Sequence, residues 1–262
     1  MIAAARLAGP QNAGAVGALP LLFVHGVGST GAIWDYQLRA LSDRRLCAAV
    51  ELRGNGTQKP DPDPALITRD GYAGDVLAIA DALRAPRFVV VGCSLGGVVA
   101  FELWRSARRR ITGMVLLGTF ARYPQGEEYA RQVRAQALEI GDMRAFGELR
   151  AAKLGLPPQR LHETIEQYGC KTTECFMAAT QATWTGDYRD LLSSIDVPTL
   201  VAYGEYDTIA PRALAEEIAS GIRGSELTCI PAAGHVANAD NPEAFNAILN
   251  DFVERNLTQE LV

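Results

Sequence analysis

Ser94 lies in Gly92-Cys93-Ser94-Leu95-Gly96, a G-x-S-x-G pattern between two segments of different periodicity. Before it, Phe88 to Val91 is a continuous apolar run, the pattern of a fully buried strand. After it, an apolar helix pattern begins at once. A serine at such a strand-to-helix turn takes a strained, positive φ, and its hydroxyl projects from the C-terminal edge of the sheet. Glycines at 92 and 96 let strand and helix pass closer than a Cβ would permit. A hydroxyl held there attacks carbonyl carbon once a general base is within reach, so the segment points to a serine hydrolase.

The five-residue pattern gains its weight from what accompanies it. The chain has 3 histidines, His25, His162 and His235. LPLLFVHG, residues 19–26, is a second buried strand pattern ending in His-Gly. VPTLVAYGEYDTIAP, residues 197–211, is a third, running into Glu205 and Asp207. PAAGHVAN, residues 231–238, is a turn-rich loop that carries His235 after the apolar ELTCI. Ser94, an acid near 205–207 and His235 follow in the order of a nucleophile, an orienting carboxylate and a base. Glu205 is the nearer of the two carboxylates to the strand end.

Taken in order, HGVGSTGAIWDYQLRAL, ELRGNGTQKP, GCSLGG, VPTLVAYGEYDTIAP and AGHVANADNPEAFNAILNDFV resemble the signature segments of the α/β-hydrolase superfamily. Within it the chain resembles the esterase and lactonase branch that includes 3-oxoadipate enol-lactone hydrolases. The resemblance implies a mostly parallel twisted sheet flanked by helices, a helical cap inserted in it, and a Ser-Asp-His triad of Ser94, Asp207 and His235. It favours Asp207 over Glu205. It implies an oxyanion hole from the backbone N–H groups of Leu95, at the start of the elbow helix, and Val27, after His-Gly. His25 then shapes the oxyanion loop and transfers no proton, while His162 faces solvent or packs within the cap. The family's usual histidine is replaced by Asn55. The family's first hairpin has room here for one short strand, Ile2 to Leu7, and a Gly-rich loop, so a shortened N-terminal hairpin is expected.

The elements that must position these groups are legible as alternating patterns. Ala32 to Leu41 and Tyr72 to Leu83 read as helices, and Leu46 to Leu52 and Ile111 to Gly118 as strands. RGNGTQKPDPDP reads as a Gly/Pro-rich loop. Strands alternating with helices over 262 residues favour one α/β domain. From residue 121 to 188 only helical patterns appear, too long for one ordinary crossover. The expected division is therefore a core of residues 1–120 and 189–262 with a cap of residues 121–188. Phe120, Tyr123, Phe176, Met177 and Trp184 are the aromatic and sulfur side chains that could line an apolar substrate pocket there, although helical stripes of this kind usually pack.

Composition excludes several classes. A net charge of −5 without a long basic run argues against nucleic acid and anionic membranes as partners. The 5 cysteines are scattered and form neither a disulfide framework nor a paired metal motif. Arg6 and Gly9-Pro10 interrupt the Ala-rich start, so no signal-peptide core forms, and a cytoplasmic protein is expected. The chemistry requires no cofactor or metal. The expected substrate is a small, largely apolar carboxylic ester or lactone. The same triad also serves C–C bond hydrolysis of ring-cleavage products, a cofactor-free haloperoxidase-like activity, or a hydrolase-fold ligand receptor with slow turnover.

Overall fold

The computed structural model describes residues 4–9, 19–55, 62–153 and 158–257. Ile2 and Ala3 of the expected first strand, most of the Gly-rich loop after it, and residues 56–61 of the Gly/Pro-rich loop lie outside the described residues. Seven strands form one sheet in the order β1-β3-β2-β4-β5-β6-β7. They are β1 (Ala4–Ala8), β2 (Leu21–Val24), β3 (Cys47–Glu51), β4 (Phe88–Cys93), β5 (Ile111–Leu117), β6 (Thr199–Gly204) and β7 (Glu226–Ile230). All neighbours pair in parallel except β1, which runs antiparallel to β3 with Ala5 opposite Val50. Among the described residues a single strand thus stands before the His-Gly strand, and the chain has the α/β-hydrolase fold.

The continuous apolar runs arise because both sheet faces are covered. Leu22, Val24, Val50, Val90, Leu116 and Val201 face one side, and alternate residues such as Phe23, Ala49, Val91, Leu117 and Ala202 face the other. Helices α1 (Asp35–Leu41) and α11 (Pro242–Leu257) cover the second face. Helices α2 (Arg69–Ala82), α3 (Leu95–Ala107), α8 (Arg189–Leu192) and α9 (Arg212–Gly221) cover the first. The short α10 (Ala237–Asp240) follows the His235 loop. The helix expected from Ala32 begins instead as a 3-10 turn, Gly31–Trp34, because the Thr30 hydroxyl caps the Ala32 N–H and closes a tighter turn before α1. Trp34 and Trp104 are core residues, as their helix patterns suggest.

Besides α8, four helices lie between β5 and β6 among the described residues: α4 (Gly126–Ile140), α5 (Met143–Lys153), α6 (Pro158–Gly169) and α7 (Thr173–Trp184). The chain leaves the sheet and returns to it at one place. Arg122 and Asp187 form an isolated antiparallel bridge, and the Tyr188 N–H donates to the Ala121 carbonyl at 2.9 Å. No helix among the described residues is long and apolar enough to cross a membrane.

His25, wholly buried at the end of β2, ties that strand to the end of β3. One ring nitrogen contacts the Gly26 carbonyl at 2.8 Å, and Nε2 accepts the Leu52 N–H at 3.2 Å. That pattern requires a neutral ring with its proton on Nδ1. Burial lowers its pKa to about 3. On unfolding the ring regains the ordinary histidine value of 6.5. The unfolded chain therefore binds more protons between those two values, and stability contributed by neutral His25 is lost as pH falls through that window.

Two measurements follow. A Cβ at Gly96 would collide with the Val24 carbonyl, so Gly96→Ala should lower stability by about 2 kcal/mol or more in urea unfolding; an unchanged midpoint contradicts the close approach. Wild-type Tm should fall below pH 6.5 more steeply than that of His25→Gln, and parallel Tm curves would remove His25 as a contributor.

Candidate active site

Ser94 terminates β4 and precedes α3, with φ 54° and ψ −113°. A non-glycine residue in this region costs roughly 1–3 kcal/mol and persists only where its surroundings impose it. Here the Ser94 N–H donates to Leu117 O at 2.9 Å, and the Thr119 hydroxyl donates to Ser94 O at 2.8 Å. The glycines at 92 and 96 stand where added Cβ atoms would meet the Gly96 and Val24 carbonyls. Gly97, which the sequence reading did not single out, leaves room for Thr119 in the same way.

Asp207 and His235 meet across two loops. The Asp207 Oδ2 lies 2.9 Å from His235 Nδ1, and its Oδ1 accepts from the Ile209 and Ala210 N–H groups at 2.8 and 2.9 Å. Three donors thus hold the carboxylate in one orientation and leave the Nε2 edge of the imidazole for another partner. Glu205 is exposed and spends Oε2 on the Ala232 N–H at 2.8 Å. The imidazole is therefore paired with Asp207 and not with Glu205. Gly118, with φ 51°, makes space for this pair. A Cβ there would lie 3.2 Å from Asp207 Oδ2 and 3.4 Å from His235 Nδ1. Its signal in the sequence is a lone glycine closing an apolar strand.

Ser94 and His235 both line one cavity, together with Val27 of the loop after β2. Among the described residues nothing in the protein accepts from the backbone N–H of Val27 or of Leu95, the first residue of α3. Cys93 also borders the cavity, but burial and the nearby Asp207 carboxylate push its thiol pKa well up, so it offers no thiolate. His162 is exposed on α6. Asn55 donates to the Tyr72 hydroxyl at 3.1 Å within the core. Among the described residues no group of three or more His, Cys, Asp or Glu side chains is placed to hold a metal ion.

The five side chains expected to line the pocket separate. Trp184 stands on the cavity wall. Phe120 stacks on it with centroids 5.2 Å apart, and Tyr123 meets it edge-on at 4.6 Å, so both support Trp184 from outside the wall. Phe176 packs on Phe146 and on Tyr168 and backs Tyr168, which does line the cavity. Met177 is half-buried on α7, away from the wall. The rest of that wall comes from Arg150 of α5 and from Arg160, Thr164 and Gln167 of α6, which the search for aromatic and sulfur groups passed over.

The chain is similar to known proteins over most of its length. The profile of the Alpha/beta hydrolase family matches residues 21–248. A pimeloyl-[acyl-carrier protein] methyl ester esterase of Neisseria meningitidis serogroup B is 30% identical over 248 residues, covering 89% of this chain and 92% of that protein. A 3-oxoadipate enol-lactonase of Acinetobacter baylyi is 24% identical over 90% of this chain and 88% of its own length. Among solved structures, the enol-lactonase from Burkholderia xenovorans LB400 superposes with a TM-score of 0.85 at 25% identity, covering 96% of each chain. With its fold, its strand-to-helix serine and a family match over most of its length, the chain belongs to the alpha/beta hydrolase family.

Proposed function

We propose that the protein is a serine hydrolase that cleaves a carboxylic ester or lactone through an acyl-enzyme on Ser94, with residues 121–188 acting as a helical cap over the site. The observation that carries this reading is the convergence of a strained serine, a carboxylate-oriented imidazole and Val27 on one cavity, with the unengaged Leu95 N–H next to Ser94 at the head of α3. The similarity to esterases and enol-lactonases supports the same class.

In this mechanism His235 Nε2 takes the Ser94 proton as Oγ attacks the substrate carbonyl carbon. The carbonyl π pair moves to oxygen, and the N–H groups of Val27 and Leu95 stabilise the resulting oxyanion. The Leu95 N–H opens helix α3, whose dipole adds to that stabilisation. Asp207 holds the imidazole and stabilises the imidazolium that forms. Collapse of the tetrahedral adduct breaks the bond to the alkoxy oxygen, which leaves with the proton from His235. For a lactone that oxygen remains tethered to the acyl group. Water then repeats the sequence, His235 accepting its proton, and releases the acid and free Ser94. The His25 ring, neutral and engaged at both nitrogens, takes no part in proton transfer.

The reading is tested on p-nitrophenyl acetate and butyrate. Ser94→Ala should lose several orders of magnitude in kcat with its thermal melt retained, and phosphonate labelling should vanish with it; a folded variant that keeps substantial turnover defeats the mechanism. Asp207→Asn should cost about 10^4-fold in kcat, because an amide favours the wrong imidazole tautomer, whereas Glu205→Gln should stay within about tenfold. Reversal of those two results would give the acid role to Glu205.

A further inference from the structure

The cavity beside Ser94 has a lining of two characters. Val27, Ile33, Trp184, Ile209 and Val236 are its apolar part. The polar part is a stripe of helix α6. Arg160, Thr164, Gln167 and Tyr168 stand at i, i+4, i+7 and i+8, which places them on one helix face, and all four border the cavity. Arg150 of α5 joins them.

The guanidinium groups in this wall are short of acceptors. Arg150 is half-buried and donates to the Tyr129 hydroxyl at 3.3 Å, with Tyr168 beside it. Among the described residues it has no carboxylate partner. Arg160 is 9% exposed. It meets Glu163 at 3.2 Å and Asp240 at 3.8 Å, while its buried Nε–H finds no acceptor at all. A guanidinium stays charged at every relevant pH, and a charge withdrawn from water is costly unless an opposite charge or hydrogen-bond acceptor meets it. Both groups border the space that a substrate enters.

We infer that the α5–α6 wall binds a carboxylate carried by the substrate, so that the ester or lactone bears a free acid group remote from the carbonyl that Ser94 attacks. The inference rests on the acyl-enzyme reading and refines the substrate expected from sequence, which was largely apolar. Charge arithmetic favours a monoanion. Arg160 already faces two carboxylates, so Arg150 is the cation left to be matched, and the planar fork of a guanidinium suits the two oxygens of a carboxylate. The apolar lining residues then hold the connecting methylene chain.

The test compares monomethyl glutarate and monomethyl adipate with methyl pentanoate and methyl hexanoate, which match them in acyl length but lack the charge. The wild-type enzyme should prefer the monoanions in kcat/KM by about 10- to 100-fold, the ratio expected of a charge-assisted pair. Arg150→Met should collapse that ratio towards unity, mainly through KM for the monoanions, and Arg150→Lys should restore part of it. In calorimetry, Ser94→Ala protein should bind monomethyl adipate, and adding Arg150→Met should abolish that binding. Equal wild-type kcat/KM for charged and neutral esters overturns the inference, and so does an Arg150→Met loss of the same size on both. Absence of turnover on every ester together with absence of phosphonate labelling overturns instead the acyl-enzyme reading; the calorimetric comparison then still decides whether the wall takes a carboxylate.

Discussion

The close approach of β4 and α3 around Ser94 is the constraint on which the site depends. Between Gly92 and Gly97 the chain reverses with backbone against backbone, and neither Gly92 nor Gly96 leaves room for a methyl group. The turn forces Ser94 into a positive φ. The same turn sets the Leu95 N–H at the head of a helix with no acceptor of its own. A serine one residue earlier or later would project into the sheet or along α3. The site is therefore built by sterics first, and its hydrogen bonds are added to a geometry already imposed.

Electrostatics then divides the polar groups by task. His25 and His235 are both imidazoles near the C-terminal sheet edge, yet their surroundings separate them. His25 has both ring nitrogens engaged and is buried to the point of resisting protonation. His235 has one nitrogen fixed by Asp207 and a ring that reaches the cavity. Glu205 and Asp207 are separated in the same manner, the first exposed on a loop N–H and the second buried on the imidazole.

Much of the fold was legible in the sequence because the sheet is covered on both faces. The apolar runs at 21–24, 88–93, 111–117 and 199–204 could be little else than buried strands. The elbow was legible because its glycines answer a steric need that few other residues meet. The cavity wall was less legible. Helical periodicity shows which residues share a face but not which face meets the cavity. Phe120, Tyr123 and Phe176 were reasonable lining candidates by composition, yet they stack behind Trp184 and Tyr168, where their area packs against other rings. The signal that could have identified the wall was the spacing of Arg160, Thr164, Gln167 and Tyr168, a polar stripe of the same period as an apolar one.

The junction where Arg122 bridges Asp187 and Tyr188 reaches back to Ala121 has a consequence for how the fold tolerates change. Gly126 also abuts the Trp184 carbonyl there, so the helical insertion begins and ends in one small knot of backbone. Helices α4 and α7 send Ala130, Ala179 and Ala182 into the core above the sheet, whereas Met143 and Phe146 of α5 and Tyr168 of α6 pack in a separate cluster. The entropy of closing a longer excursion rises only logarithmically, about 0.6 kcal/mol for each doubling of length. The α5 and α6 helices that line the cavity can thus be lengthened or shortened while β5 and β6 keep their register. Selection can rework the lining of the cavity without disturbing the strands that lead to Ser94 and to the Asp207–His235 pair.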